Sequence, residues 1–260
     1  MSAKDPLISV ILPSFNEREG ILTLTSAIHK QLSNQGYIHE IIVVDDNSPD
    51  GTYEHILQAS HHYICAIKRE AMPSLGGSIR DGIEVSKGEI IVVMDSDGNH
   101  RPEDLPIMLA NMKFYDCVSA SRFVYGGKMD GRFNHLCSWL FNIGARILLR
   151  GMVTDSLFGY YAIHRDVLYR LNFDKIFWGF GDYCIRLMYY LQQESCSILQ
   201  IPGVLGKRLS GQGNSAMIKT LARYSAEVLK LSIKDKGSET SAGCLKPETT
   251  EQTKKCRDAA

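Results

Sequence analysis

Neither sign of charge predominates in this sequence. Lysine plus arginine and aspartate plus glutamate number 29 each among 260 residues, so nothing in the balance suggests nucleic acid as a partner, and an anionic ligand has to be met by local cations. No window reaches the roughly 18 consecutive apolar residues of a membrane span. The nearest approach, residues 135–149, is interrupted by Asn142 and Arg146. Neither GxGxxG nor GxxxxGK[ST] follows the first strand, which counts against a dinucleotide-binding Rossmann domain and a P-loop. The seven cysteines include no CxxC and no zinc-finger spacing. Reduced thiols in a cytoplasmic compartment are therefore expected, with Cys65, Cys117, Cys137, Cys184 and Cys196 as small buried hydrophobes. His61, His62 and His100 lack metal-ligand spacing and read as surface or packing residues. The first six residues run directly into a strand, so no secretory leader is expected.

What is there suits a globular protein: 44% of the residues are hydrophobic and 22% charged, enough for a substantial core. Apolar runs at 7–12, 40–44, 63–67 and 89–94 read as strands, and segments 20–32, 52–59 and 75–85 carry apolar residues near helical spacing. Strand and helix alternate at the interval of a βαβ unit, which predicts a mostly parallel α/β sheet in a single domain. A strand at 117–121, a helix at 136–149, a strand at 160–164, a helix at 182–192, a loop at 204–210 and a last helix at 217–233 complete it. The chain divides into a first half at about 7–122, a nucleotide-binding type of sheet, and a second half at about 123–233. Residues 234–260 are polar and read as a disordered tail.

The run EIIVVMDSDGN, residues 89–99, is the most informative stretch. A buried parallel strand stops at Asp95 and Asp97, which strand alternation would point the same way, at the edge where open α/β sheets bind ligands. Two converging carboxylates suit Mg²⁺ or Mn²⁺ carrying a phosphorylated substrate. A plain turn competes, since Asp, Ser, Gly and Asn are turn residues. The second strand ends in DDNSPDGT, residues 45–52. Part of this is turn and helix-cap chemistry at Asp50 and Thr52, while Asp46 is read as an acceptor of hydrogen bonds from a nucleobase in preference to a purely structural residue.

In order and spacing, VILPSFNE, EIIVVDDNSPDGT, LGGSIRDGIEVSKGEIIVVMDSDGNHRPEDL, SASRFVYGG and DSLFGYYAIHRDVL resemble the family 2 glycosyltransferases, and within them the dolichol-phosphate (polyprenyl-phosphate) mannose synthase branch. The resemblance covers roughly residues 7–215. It implies a GT-A fold, a nucleotide-sugar donor, a divalent metal and inversion at the anomeric carbon. On this resemblance Pro13, Phe15, Glu17 and Asp46 line the base and ribose pocket, Phe15 standing where the family often has tyrosine. Asp95, Asp97 and Asn99 hold the metal, Asn99 standing where glutamine is frequent. Arg122 and Arg208 face phosphate, although either arginine alone reads equally as a surface charge or a carboxylate partner. Asp182 is read either as a helix N-cap or as the general base of a hydroxyl-acceptor enzyme, whereas a phosphate acceptor needs no base. Asp155 resembles a residue near the acceptor or metal, or is a turn aspartate. In place of the usual Trp and basic pair after Gly126 and Gly127, the chain has Arg132, His135, Arg146 and Arg150. The helix at 136–149, with Trp139, Phe141, Leu148 and Leu149, reads as core packing or as a lipid-facing stripe.

The reading is a metal-dependent inverting glycosyltransferase with Mg²⁺ or Mn²⁺. It moves a hexose, mannose favoured, from a nucleotide sugar, GDP-mannose favoured over a UDP-sugar, to a polyprenyl phosphate at the cytoplasmic membrane face, by surface contact or through a membrane-anchoring partner. The alternatives are a saccharide hydroxyl acceptor with Asp182 as base, a sugar-phosphate nucleotidyltransferase, and an inactive nucleotide-sugar-binding subunit.

Overall fold

The computed structural model describes residues 6–129, 131–205 and 217–234. Strands β1 (Ile8–Ser14), β2 (His39–Asp45), β3 (Ile64–Lys68), β4 (Ile90–Val93), β5 (Cys117–Ser121), β6 (Tyr161–His164) and β7 (Ile198–Pro202) form one sheet in the order β3-β2-β1-β4-β6-β5-β7. Every pairing is parallel except those of β6, which runs antiparallel to both β4 and β5. Around the sheet lie α1 (Ile21–Asn34), α2 (Thr52–Ala59), α3 (Leu75–Val85), α4 (Leu105–Asn111), α5 (Arg132–Leu148), α6 (Arg165–Arg170), α7 (Phe173–Ile176), α8 (Asp182–Gln193) and α9 (Met217–Lys234).

Strand alternation divides the core between the two faces of the sheet. Ile11, Ile91 and Val93 pack with Ile79 and Ile83 of α3 and with Leu187 and Leu191 of α8. Val10, Leu12, Ile90 and Val92 pack with Ile28 and Leu32 of α1 and with Leu105 and Met108 of α4. Each fully buried side chain of this size contributes about 1.5–3 kcal/mol relative to exposure, which is why β4 is an unbroken apolar run and β1 is interrupted before Pro13 only by Ser9. A third cluster, Ala145 of α5, Ile185 and Tyr189 of α8, and Val228 and Leu231 of α9, lays an outer helical layer over α8. That layer explains why nearly all of α8 is buried, including Arg186.

Helices α2 and α3 and strand β5 have the expected bounds, while α5 begins four residues early, at Arg132. Strand β7 and helices α4, α6 and α7 were not anticipated. β7 is mostly half-buried, and the three helices are 7, 6 and 4 residues long, too short for helical periodicity to register. Cys117, Cys137, Cys184 and Cys196 are free, the first and third buried. Cys65 is disulfide-bonded, which corrects the expectation of a fully reduced chain at that position. Arg208, most of the expected loop at 204–210, and the tail from residue 235 onward lie outside the described residues.

Candidate active site

The carboxyl ends of β1, β2 and β4 meet at one edge. Pro13 in β1 cannot donate a ladder hydrogen bond, and its carbonyl accepts from Ser96 Oγ at 2.7 Å, tying β1 to the turn after β4. Beyond it Phe15 is 50% exposed and Glu17 is buried. Glu17 N–H donates to Thr52 Oγ1 at 3.1 Å, so the turns following β1 and β2 are joined. Asp45 closes its own turn, accepting from Ser48 N–H at 2.9 Å and Ser48 Oγ at 2.5 Å. Asp50 accepts from Thr52 N–H at 2.9 Å, holding the start of α2. Asp46 is buried and carries two strong contacts: Arg69 Nη1 at 2.5 Å and Ser74 N–H at 2.7 Å. Arg69 reaches on to Asp81 at 2.7 Å. Asp46 is thus a junction between β2 and the start of α3, a pairing invisible in the motif itself.

Strand β4 ends at Val93, so Asp95 and Asp97 lie beyond the strand, Asp97 in a turn. The alternation expected to point both carboxylates the same way does not apply, and the two differ: Asp95 is half-exposed while Asp97 is buried. Asn99 fixes Asp97, donating from its backbone N–H to Oδ1 at 2.9 Å and from Nδ2 to Oδ2 at 2.8 Å. The turn requires a left-handed residue, and Gly98 supplies it at φ 81°. His100, expected at the surface or in packing, is buried and stacks on Tyr160 at 5.0 Å. Its Nδ1 accepts from Asp95 N–H at 2.9 Å. Burial pushes this imidazole down to about 4, so it stays neutral and keeps an acceptor for that N–H. No spacing rule would have found it.

The expected phosphate-facing Arg122 is committed to Asp155. Its Nε and Nη2 each donate at 2.8 Å to the two oxygens of that fully buried carboxylate, and Nη1 lies beside Met129 Sδ. Asp155 is therefore the partner of an arginine and not a bare turn aspartate. Asp182 is the first residue of α8, whose N-cap position is Gly181. Its Oδ2 accepts from Arg186 Nη1 at 2.6 Å and its Oδ1 from Phe180 N–H at 3.1 Å. The N-cap position is Gly181 and not Asp182; Asp182 organises the buried Arg186, which also pairs with Glu227 at 3.3 Å. Between the Asp95 turn, the loop before α8, and α9 lies a cavity of about 400 Å³. Asp95, Gly159, Phe180, Tyr183, Arg223 and Tyr224 are among its lining residues.

The glycosyl transferase family 2 model matches residues 9–171. The chain belongs to glycosyl transferase family 2. It is similar to a dolichol-phosphate mannosyltransferase of Pyrococcus furiosus, 30% identical over 86% of this chain and 63% of the relative, so it spans less than two thirds of that protein's length. It is also similar to an undecaprenyl-phosphate mannosyltransferase of Micrococcus luteus, 31% identical over 65% of this chain and 71% of the relative. A dolichol-phosphate mannosyltransferase of Mycosarcoma maydis is 28% identical over 88% of this chain and 80% of the relative. Among solved structures, glucosyl-3-phosphoglycerate synthase from Mycobacterium tuberculosis, in complex with Mn²⁺, UDP and glucosyl-3-phosphoglycerate, superposes with a TM-score of 0.67. It is 22% identical, over 91% of this chain and 82% of that one. The fold is GT-A.

The expected pocket residues Pro13, at the end of β1, and Phe15, Glu17 and Asp46, just beyond β1 and β2, lie at adjoining strand ends, and Ser96 joins Pro13 to the segment after β4. The donor set of Asp95, Asp97 and Asn99 fits a hard divalent ion. Among the described residues no three His, Cys, Asp or Glu side chains form a metal cluster. Arg69, His100 and Arg223 are the contributors that the sequence did not disclose.

Proposed function

We propose that this glycosyltransferase moves a hexose, with mannose favoured, from a nucleotide sugar to a polyprenyl phosphate with inversion, using Mg²⁺ or Mn²⁺. GDP-mannose is the favoured donor and a UDP-sugar the second choice. The observation that carries the reading is one cavity lined both by Asp95, from the proposed metal-binding segment, and by the half-exposed aromatic Phe180. The mannosyltransferase relatives support the acceptor class.

In this reading Pro13, Phe15, Glu17 and Asp46 hold the nucleoside, with Arg69 and Ser74 fixing Asp46. Asp95, Asp97 and Asn99 would hold the metal, which acts as a Lewis acid on the diphosphate as its charge develops. The acceptor phosphate is already an anion, so it attacks the anomeric carbon from the face opposite the leaving group without a base. The engagement of Asp182 with Arg186 and Phe180 N–H supports this acceptor over a saccharide hydroxyl. Arg122 binds phosphate through Nη1 while Asp155 orients it, and Arg208 is proposed as a further phosphate ligand.

The surface of α5 supports work at a membrane face, which we place on the cytoplasmic side. Among the described residues no helix is long and apolar enough to cross a membrane. Phe133, Leu136, Leu140, Ile143 and Ile147, spaced three and four apart, are nonetheless all exposed. Trp139 and Leu148 are exposed too, while Phe141 and Leu149 pack inward against the third cluster. The stripe is thus mostly a surface, and exposed Arg132, Arg146 and Arg150 lie along the same helix and at its end. Such a helix lies in a bilayer interface or against a membrane-anchoring partner.

The test is a panel of nucleotide sugars with Mg²⁺ or Mn²⁺ and a polyprenyl phosphate, read by mass spectrometry. A glycolipid bearing one added hexose and release of nucleoside diphosphate are expected. Glycosylation of saccharides alone would sink the acceptor assignment.

A further inference from the structure

We infer that Arg223 of α9 receives the phosphate of the acceptor and thereby selects phosphorylated over neutral lipids. The inference rests on the polyprenyl-phosphate reading and adds a residue beyond position 171, where the family match ends. Among the described residues lining the cavity, Asp95 and Arg223 are the charged ones. They give the cavity of about 400 Å³ one carboxylate, from the proposed metal site, and one cation.

The guanidinium of Arg223 lies 5.0 Å from the ring centre of Phe180 and 5.4 Å from that of Tyr224. Contact with ring faces holds an arginine in place while its planar N–H fork remains suited to phosphate oxygens. Its ion pair with Asp182 Oδ1 is long, 3.7 Å, and the side chain is 46% exposed. Asp182 does not depend on it, being held at 2.6 Å by Arg186.

The other described arginines nearby are committed elsewhere. Arg186 is buried and donates to the carbonyls of Ile176 and Trp178 as well as to Asp182. Arg122 forks onto Asp155 through Nε and Nη2, and with its remaining Nη1 assigned above to phosphate it still does not line this cavity. Arg132, Arg146 and Arg150 are exposed on or just after α5 and do not line the cavity.

Electrostatics require such a cation. An anionic acceptor approaching a donor diphosphate is repelled, and a guanidinium on the acceptor side offsets that repulsion where the metal cannot reach. The apolar remainder of the ligand has an exit, because Trp178 and Phe180 are 45% and 50% exposed, and Leu229 and Ile233, further along α9, are 51% and 70% exposed. The ligand class this fits is the phosphate monoester of a long-chain prenyl alcohol.

The experiment uses the full chain with Mn²⁺, the donor that the wild type accepts, and farnesyl phosphate as a short acceptor. Arg223→Ala is expected to raise the acceptor KM on the order of 10- to 100-fold, the scale of a lost charge-assisted contact. The donor KM should stay within about twofold, and Arg223→Lys should recover part of the loss. An unchanged acceptor KM in Arg223→Ala, with wild-type transfer intact, refutes the role of Arg223 and leaves the functional reading standing. A parallel rise of donor and acceptor KM with a lowered melting temperature refutes it in favour of a structural role. If Arg223→Ala does not fold, Arg223→Gln replaces it under the same criteria. Wild-type transfer to farnesol or to a saccharide, with none to farnesyl phosphate, overturns both this inference and the reading beneath it.

Discussion

At the scale of single residues, the site is built from charges that answer one another across long stretches of chain. Asp46 and Arg69 are 23 residues apart, yet each is only 8% exposed and they meet at 2.5 Å. Removing one member of a buried pair strands the other without its solvent, so Arg69→Met is expected to lower the unfolding free energy by about 3–5 kcal/mol in urea titrations. Adding Asp46→Asn to that variant should return part of the loss. His100 yields a second expectation. Between its folded value of about 4 and the ordinary 6.5, an unfolded chain binds a proton that the folded protein refuses. Stability present above 6.5 is therefore lost as the pH falls toward 4. Charges from Asp97, Arg122 and Asp155 modulate this, but burial dominates. Urea unfolding in chelator across that window should slope, and His100→Phe should flatten the slope; a wild-type profile already flat would refute the assignment.

At the scale of elements, the sequence was most legible where burial is two-sided. The first four strands were expected to within two residues at each end because their apolar runs are long, and α2, α3 and β5 matched their expected bounds. What escaped was either short, as with α7, or half-buried, as with β7. The Asp182–Arg186 pair did leave a trace, since an acid and an arginine four apart on a helix are neighbours. Asp46–Arg69 and Arg122–Asp155 left none, because only the fold brings those residues together. The helix α5 shows how composition can mislead: an apolar stripe was read as either core or lipid-facing, and the structure leaves most of it exposed. Replacing Ile143 and Ile147 together with aspartate should lower binding to anionic liposomes by at least about 10-fold in sedimentation assays, with little change in melting temperature because both side chains face outward. Undiminished liposome binding would exclude α5 as the membrane contact.

At the scale of the whole molecule, nucleotide and metal should act as one ligand, since the nucleoside turns and the Asp95 turn are linked through Ser96 and Pro13. Saturating GDP with Mn²⁺ at about 100 times Kd is expected to add about 2.7 kcal/mol of stability, seen as a rise of several degrees in melting temperature. Asp97→Asn should remove the Mn²⁺-dependent part of that rise and leave the nucleotide-only part. A triphosphate stabilising more strongly than GDP would instead favour nucleotidyl transfer.

Ser74 gives the proposed nucleoside and acceptor regions a common mechanical link. Its N–H holds Asp46, its Oγ donates to Gly179 O at 3.0 Å, and Gly76 N–H donates to the same carbonyl at 3.0 Å. An alanine methyl at Gly76 would lie 2.5 Å from Trp178 N, so this junction has no slack. Whatever settles against Asp46 therefore leans on the segment leading to Phe180, and the two substrates should queue and not arrive at random. Product-inhibition patterns that are competitive for the donor alone would reveal that sequence of arrivals.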